Sequence, residues 1–243
     1  YRLGVWGFGN FSAIAPENTM VALRKAREVG ADGVEIDVHM TKDGEVVVIH
    51  DDRVERTTDG SGLVRDLTWK ELQKLDAGSK FDPQFAGEPI PTLHQVCELM
   101  ADWGGWLNIE LKTNTIDYPG LERATLSLVR EYGIQERVVI SSFNHYCLRR
   151  CVEIDADVPT ALLYSEVVFE PWRYARMVGA TGIHPYFRTL RDHIAVDTVA
   201  AGVAVRPWTV DAREDIEHLV GLGVDAIITN RPDRALAVLG LKS

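Results

Sequence analysis

A parallel (β/α)8 barrel with a small insertion after its second strand is the fold this chain predicts, on three observations. Short β-branched runs alternate with amphipathic segments over most of the length, the rhythm of parallel strands joined by crossover helices. Eight such units fit into 243 residues, the size of a barrel of this kind. Polar and aromatic residues punctuate the C-terminal ends of those strands, which is where such barrels keep their working residues.

The strands are expected at Leu3 to Trp6, Val34 to Val38, Leu107 to Leu111, Val138 to Ser141, Thr160 to Tyr164, Gly182 to His184, Val203 to Trp208 and Ala226 to Thr229. Helices are expected at Thr19 to Val29, Leu121 to Tyr132, Tyr146 to Ile154, Arg191 to Ala201, Ala212 to Leu222 and Pro232 to Leu239. The rhythm breaks between Met40 and Pro91, which hold an extra strand, the turn signals Lys42-Asp43-Gly44, Thr58-Asp59-Gly60-Ser61-Gly62 and Asp82-Pro83, and a short helix near Trp69 to Leu75. Residues 40–91 therefore read as a cap segment inserted into one barrel domain spanning 1–243. Material inserted at a strand's C-terminal end lies on the catalytic face, so the cap is expected to form part of the substrate pocket.

Composition narrows the function. A hydrophobic content of 46% is enough for one large core. A net charge of −10, with no basic run, argues against nucleic-acid binding, which needs clustered Lys and Arg. Cys97, Cys147 and Cys151 make neither a disulfide framework nor a zinc pattern and read as buried thiols. No run of 18 apolar residues and no charged-then-apolar leader is present, which points to a cytoplasmic protein with no transmembrane segment.

The chemistry concentrates at strand ends. In Gly33-Val34-Glu35-Ile36-Asp37, the strand period puts Glu35 and Asp37 on one face and Val34 and Ile36 on the other. Leu107-Asn108-Ile109-Glu110-Leu111-Lys112 carries a third acid with a base two residues on. Three convergent carboxylates cannot all stay ionised uncompensated, so either their pKa values rise or a divalent cation sits among them. Lys112 supplies a fixed positive charge suited to a phosphate or diphosphate, or else pairs with its neighbouring acid. His50 follows a β-branched run and precedes Asp51-Asp52; a structural role and a catalytic one are both open, and its strand-terminal position favours the second.

At these residues the chain resembles the glycerophosphodiester phosphodiesterase family over nearly its full length. The resemblance rests on Ala15-Pro16-Glu17-Asn18-Thr19, Gly30 to Val38, Thr41-Lys42-Asp43-Gly44, Ile49-His50-Asp51-Asp52, Arg56-Thr57-Thr58-Asp59-Gly60, Ile90-Pro91-Thr92-Leu93, Glu110-Leu111-Lys112, Trp208-Thr209-Val210 and Thr229-Asn230-Arg231-Pro232, in that order. It implies a (β/α)8 barrel, a divalent cation, Mg before Ca, held by Glu35, Asp37 and Glu110, and His50 as a general acid or base. Family members cleave phosphodiesters with a neighbouring hydroxyl as internal nucleophile, through a cyclic phosphate.

One motif departs from the pattern. The family's first strand ends in Gly-His-Arg-Gly, whose histidine is a second acid/base and whose arginine grips phosphate. Here that place reads Gly4-Val5-Trp6-Gly7, and a register counted back from Pro16, which brings Phe8-Gly9 opposite the pair, restores neither residue. A positioned acid or base is worth roughly 10²- to 10⁴-fold in rate, so ordinary hydrolysis should be slow. Because Glu35, Asp37, Glu110, His50 and Lys112 all remain, the expectation is altered chemistry on a small phosphate or diphosphate ester. Val5, Trp6, Phe8, Phe143 and Trp208 would line an apolar cavity suited to a prenyl diphosphate, with elimination or cyclisation as the reaction. The alternatives are a phosphodiesterase that uses His50 alone and a non-catalytic protein that binds a phosphorylated ligand.

Overall fold

The computed structural model describes residues 4–7 and 14–241. The barrel strands are β1 (Gly4–Gly7), β2 (Gly33–Met40), β4 (Trp106–Leu111), β5 (Val138–Ser142), β6 (Thr160–Tyr164), β7 (Gly182–Pro185), β8 (Ala204–Val205) and β9 (Ala226–Thr229). They pair in parallel, in the spatial order β8-β7-β6-β5-β4-β2-β1-β9. Closure comes from hydrogen bonds between the two ends of that series: Asp225 N to Val205 O at 2.9 Å, Ile228 N to Pro207 O at 3.0 Å and Val210 N to Ile228 O at 2.9 Å.

Helices α1 (Met20–Glu28), α3 (Leu93–Trp103), α4 (Leu121–Glu131), α5 (His145–Ile154), α6 (Pro171–Val178), α7 (Asp192–Ala200), α8 (Arg213–Gly221) and α9 (Pro232–Val238) surround the strands. The main core lies between strands and helices. Val5, Val34, Ile36, Val38, Ile109 and Leu111 project into it from the strands, and Leu23, Val96, Leu121 and Leu148 meet them from the helices. Alternation along each strand then turns the intervening residues into the barrel interior.

Two helices were not expected. The first, α3, has a signal in the sequence: Thr92 and Gln95 form a capping box, with Thr92 N donating to Gln95 Oε1 at 3.0 Å. The second, α6, starts on Pro171, whose fixed φ suits a first helical turn. The seventh expected strand, Val203 to Trp208, contracts to Ala204–Val205, because Pro207 has no N–H to donate to a ladder.

The insertion carries β3 (Val46–Val48), antiparallel to β2, and the one-turn helix α2 (Trp69–Leu72). It has its own small core of Val47, Ile49, Val54, Val64, Leu72, Ala77 and Ile90. That cluster is separate from the main core. No helix among the described residues is long and apolar enough to cross a membrane.

Candidate active site

Register assembles the site. In the β2–β4 ladder Asp37 lies opposite Glu110, and Glu35 opposite Asn108, so the inward acids of two neighbouring strands fall at adjacent levels. Glu35, Asp37 and Glu110 are all buried, and each offers an oxygen within 4.8 Å of the others. Lys112 leans in from the end of β4, its Nζ 2.9 Å from Glu110 Oε1 and 3.4 Å from Asp37 Oδ1.

Asp37 is held by a residue from the segment before α1. Asn18 Nδ2 donates to Asp37 Oδ2 at 2.9 Å, and Asp37 N donates back to Asn18 Oδ1 at 3.1 Å. Asn18 takes a left-handed φ of 55° to reach it, a conformation that Asn tolerates better than most residues. This clasp fixes one carboxylate oxygen and leaves Asp37 Oδ1 buried without a hydrogen bond.

Ionisation within the cluster is unequal. Burial opposes the charge on Asp37, but Lys112, His50 and Asn18 outweigh it and hold the carboxyl below its usual value. Burial, reinforced by the charge on Asp37, pushes Glu110 up to about 7. Burial works against the Lys112 ammonium, yet Asp37 and Glu110 keep it firmly protonated. Three carboxylates beside one ammonium, with an oxygen of Asp37 lacking a hydrogen bond, make an all-oxygen donor set with excess negative charge. That set fits a hard divalent cation.

His50 stands two residues past β3, its Nε2 3.4 Å from Lys112 Nζ. Its Nδ1 lies 2.6 Å from Asp51 Oδ1. Asp51 is drawn down to about 2, because Arg56 and His50 outweigh the effect of its burial, so it is an ionised acceptor. An acceptor-only partner assigns the hydrogen to Nδ1 and turns Nε2 toward the cavity. Arg56 steadies Asp51 through an Nε bond of 2.6 Å and reaches Glu17 with Nη1 at 3.0 Å. Behind His50, buried His39 contacts the His50 carbonyl with Nε2 at 3.1 Å and the Tyr118 hydroxyl with Nδ1 at 2.8 Å. Burial lowers His39 to about 4, so its ring is neutral, with the hydrogen on Nε2 and the Tyr118 hydroxyl donating to Nδ1.

Glu35, His50, Asn108, Glu110 and Lys112 share a cavity of about 240 Å³ with Phe143, Leu163, Trp208 and Ile228. One wall is charged and the other apolar. The Phe143 and Trp208 rings meet edge-on with centroids 5.7 Å apart, and Trp208 Nε1 donates to His184 O at 2.7 Å, which fixes the indole.

Val5 and Trp6 lie elsewhere, which corrects their expected place beside the substrate. β1 continues to Gly7, opposite Thr229, and Trp6 lies level with Gly33, two residues before Glu35. Val5 packs outward into the core beneath the helices. Trp6 points into the barrel, in a cluster with Val139, Ala161, Ala226 and Ile228, and stacks on Trp106 at the N-terminal end of β4. Phe8 falls outside the described residues. Asn18, Asp51, Arg56 and His39 had been assigned no role from the sequence. Asn18, Asp51 and Arg56 each lie within one of the family motifs, so a signal existed for those three, but their partners are set by the tertiary fold.

Comparison with known proteins agrees with this geometry. The sequence model of the glycerophosphoryl diester phosphodiesterase family matches residues 9–234. A glycerophosphodiester phosphodiesterase of Caldanaerobacter subterraneus is 46% identical over 218 residues, covering 90% of each chain. Another, of Bacillus altitudinis, is 35% identical over 96% of this chain and 97% of its own. Among solved structures, an Oleispira antarctica phosphodiesterase in complex with its product sn-glycerol-3-phosphate superposes with a TM-score of 0.91 at 29% identity, covering 98% of this chain and 96% of that one. The site and these likenesses agree, and the chain belongs to the glycerophosphodiester phosphodiesterase family.

Proposed function

We propose that the chain is a divalent-cation-dependent hydrolase that converts a glycerophosphodiester and water into sn-glycerol 3-phosphate and a free alcohol. The observation that carries the reading is the meeting of Glu35, Asp37, Glu110, Lys112 and His50 at one cavity, opposite an aromatic wall able to hold a small polyol. A cation bound by the three carboxylates, Ca or Mg, would neutralise charge on the phosphate oxygens and acidify the attacking hydroxyl.

The protein's own groups account for the remaining steps. Lys112 holds a phosphate oxygen. His50 Nε2 takes the proton of the glycerol 2-hydroxyl as that oxygen bonds to phosphorus, then returns it to the alcohol oxygen as the old P–O bond breaks. In the second half Nε2 takes a proton from water, whose oxygen attacks phosphorus, and returns it to the 2-oxygen as the ring opens. Asp51 keeps Nδ1 protonated throughout and stabilises the imidazolium.

The prenyl reading lacks its main support, since neither Val5 nor Trp6 faces the cavity. With Phe8-Gly9 in place of His-Arg, one histidine does the work of two, so the rate should be low. The test is release of sn-glycerol 3-phosphate from glycerophosphocholine and glycerophosphoglycerol, with Ca or Mg and with chelator. His50→Ala should lower the rate by roughly 10²-fold or more, and Phe8→His with Gly9→Arg should raise it at least about tenfold. No release with either cation, alongside diphosphate release from a prenyl ester, would overturn the reading.

A further inference from the structure

A second cavity lies on the cap side of His50. It measures about 170 Å³, and Glu17, Arg56, Thr57, Ala77, Lys80 and Phe81 line it. A narrow cleft of about 10 Å³ shares Glu17, Thr57 and Ala77 with that cavity and reaches His50. His50 also lines the larger cavity beside Glu110 and Lys112. The imidazole therefore stands between two spaces, one with the aromatic wall and one built from the cap.

The charges of the cap cavity are not equally available. Arg56 is committed to Asp51 and Glu17, and in turn it occupies the Glu17 carboxylate. Lys80 is exposed, and its ammonium donates to the neutral backbone carbonyl of Glu55. The Glu55 carboxylate is engaged by Arg53 and by Gly62 N. Among the described residues no carboxylate pairs with Lys80, and the charged residues of this lining, Glu17, Arg56 and Lys80, leave it one net positive charge. Thr57 adds a hydroxyl and Phe81 an apolar face, 44% exposed.

We infer that the cap cavity is the subsite for the departing alcohol, and that Lys80 tunes it toward alcohols bearing an anionic group, a carboxylate or a second phosphate. The inference rests on the hydrolase reading and adds a preference to it. With phosphorus beside Lys112 and the glycerol on the Phe143 and Trp208 wall, the remaining substituent of the phosphodiester has to leave past His50, and the cap cavity is the space on that side. A quaternary ammonium would gain from the Phe81 face but would meet the Lys80 charge at short range. An alcohol with an anion has the attraction without the repulsion.

The experiment uses the full chain with Ca and measures kcat/KM for bis(glycerophospho)glycerol, whose departing alcohol carries a phosphodiester anion, and for glycerophosphocholine. The first should exceed the second by about tenfold, and Lys80→Glu should shrink that ratio about tenfold or more, with Lys80→Ala in between. Lys70→Glu, an exposed change of equal charge on α2, serves as the control and should leave the ratio as it was. A ratio that moves equally in Lys80→Glu and Lys70→Glu, or in neither, overturns the subsite and leaves the hydrolase reading standing. No release from either ester by the unaltered chain overturns the hydrolase reading and the subsite with it. Thermal melts confirm that the variants fold.

Discussion

The two ends of the barrel interior are filled by the same alternation of side chains, yet with opposite chemistry. At the C-terminal mouth β2 and β4 present Glu35, Asp37, Glu110 and Lys112, with an unbonded carboxylate oxygen and a carboxyl pushed up to about 7. At the N-terminal end Trp6 is 3% exposed, stacks on Trp106 at 6.2 Å, lies beneath the Arg206 guanidinium at 4.9 Å and meets His184 edge-on. At the first end three carboxylates crowd around one ammonium. At the second, ring contacts and packing dominate, and His184 Nδ1 is buried without a hydrogen bond. A barrel can tolerate the strained end because the other is well packed, which divides function from stability along the barrel axis.

The sharpest way to break the comparison is Glu110→Gln. It removes a cation ligand and relieves repulsion, so activity should fall by about 10³-fold or more, roughly 4 kcal/mol of barrier, and calorimetric cation binding should be lost, while stability in chelator stays level or rises. In the unaltered chain, cation affinity should weaken as pH falls through about 7, because Glu110 then gains a proton it must release to bind. A Glu110→Gln protein that unfolds would show that the mouth is structural after all.

At the other end Trp6→Ala should cost about 3 to 5 kcal/mol in urea unfolding, with activity per folded molecule nearly unchanged. A large loss of activity without loss of stability would place Trp6 in the site.

The smallest effect concerns pH. His184 is buried and held well below its ordinary value, first by desolvation and then by Arg206, so it stays neutral in the fold. The unfolded chain gains a proton at His184 below about 6.5 that the native state refuses, so native stability declines as pH drops below that value. In His184→Gln the decline between pH 8 and pH 5 should be shallower than in the unaltered chain, as measured by urea midpoints.

What the sequence made legible follows from the range of the interactions. Val138–Ser142, Thr160–Tyr164 and Ala226–Thr229 are mainly apolar runs buried on both faces, and their pattern is local. The acids of β2 and β4 were also legible, because period two and a shared strand-end position suffice to group them. Trp6 was misplaced because whether a strand residue looks toward the mouth or the floor depends on its level against the neighbouring strands, and Trp6 lies level with Gly33, two residues before Glu35. The clasp of Asn18 on Asp37 spans 19 residues, and His39 meets Tyr118 across 79. No local pattern announces such partners.

That clasp has a consequence for redesign. The place where the family's His-Arg pair is missing, Phe8-Gly9 in the register counted back from Pro16, lies between Gly7, in register with Thr229 and Val34, and Asn18, bonded twice to Asp37. Both borders are tied to barrel strands. Libraries confined to Phe8 and Gly9 can add phosphate-gripping and proton-moving groups while the carboxylates stay where they are, which makes this pair the natural place to evolve new ester chemistry on an old scaffold.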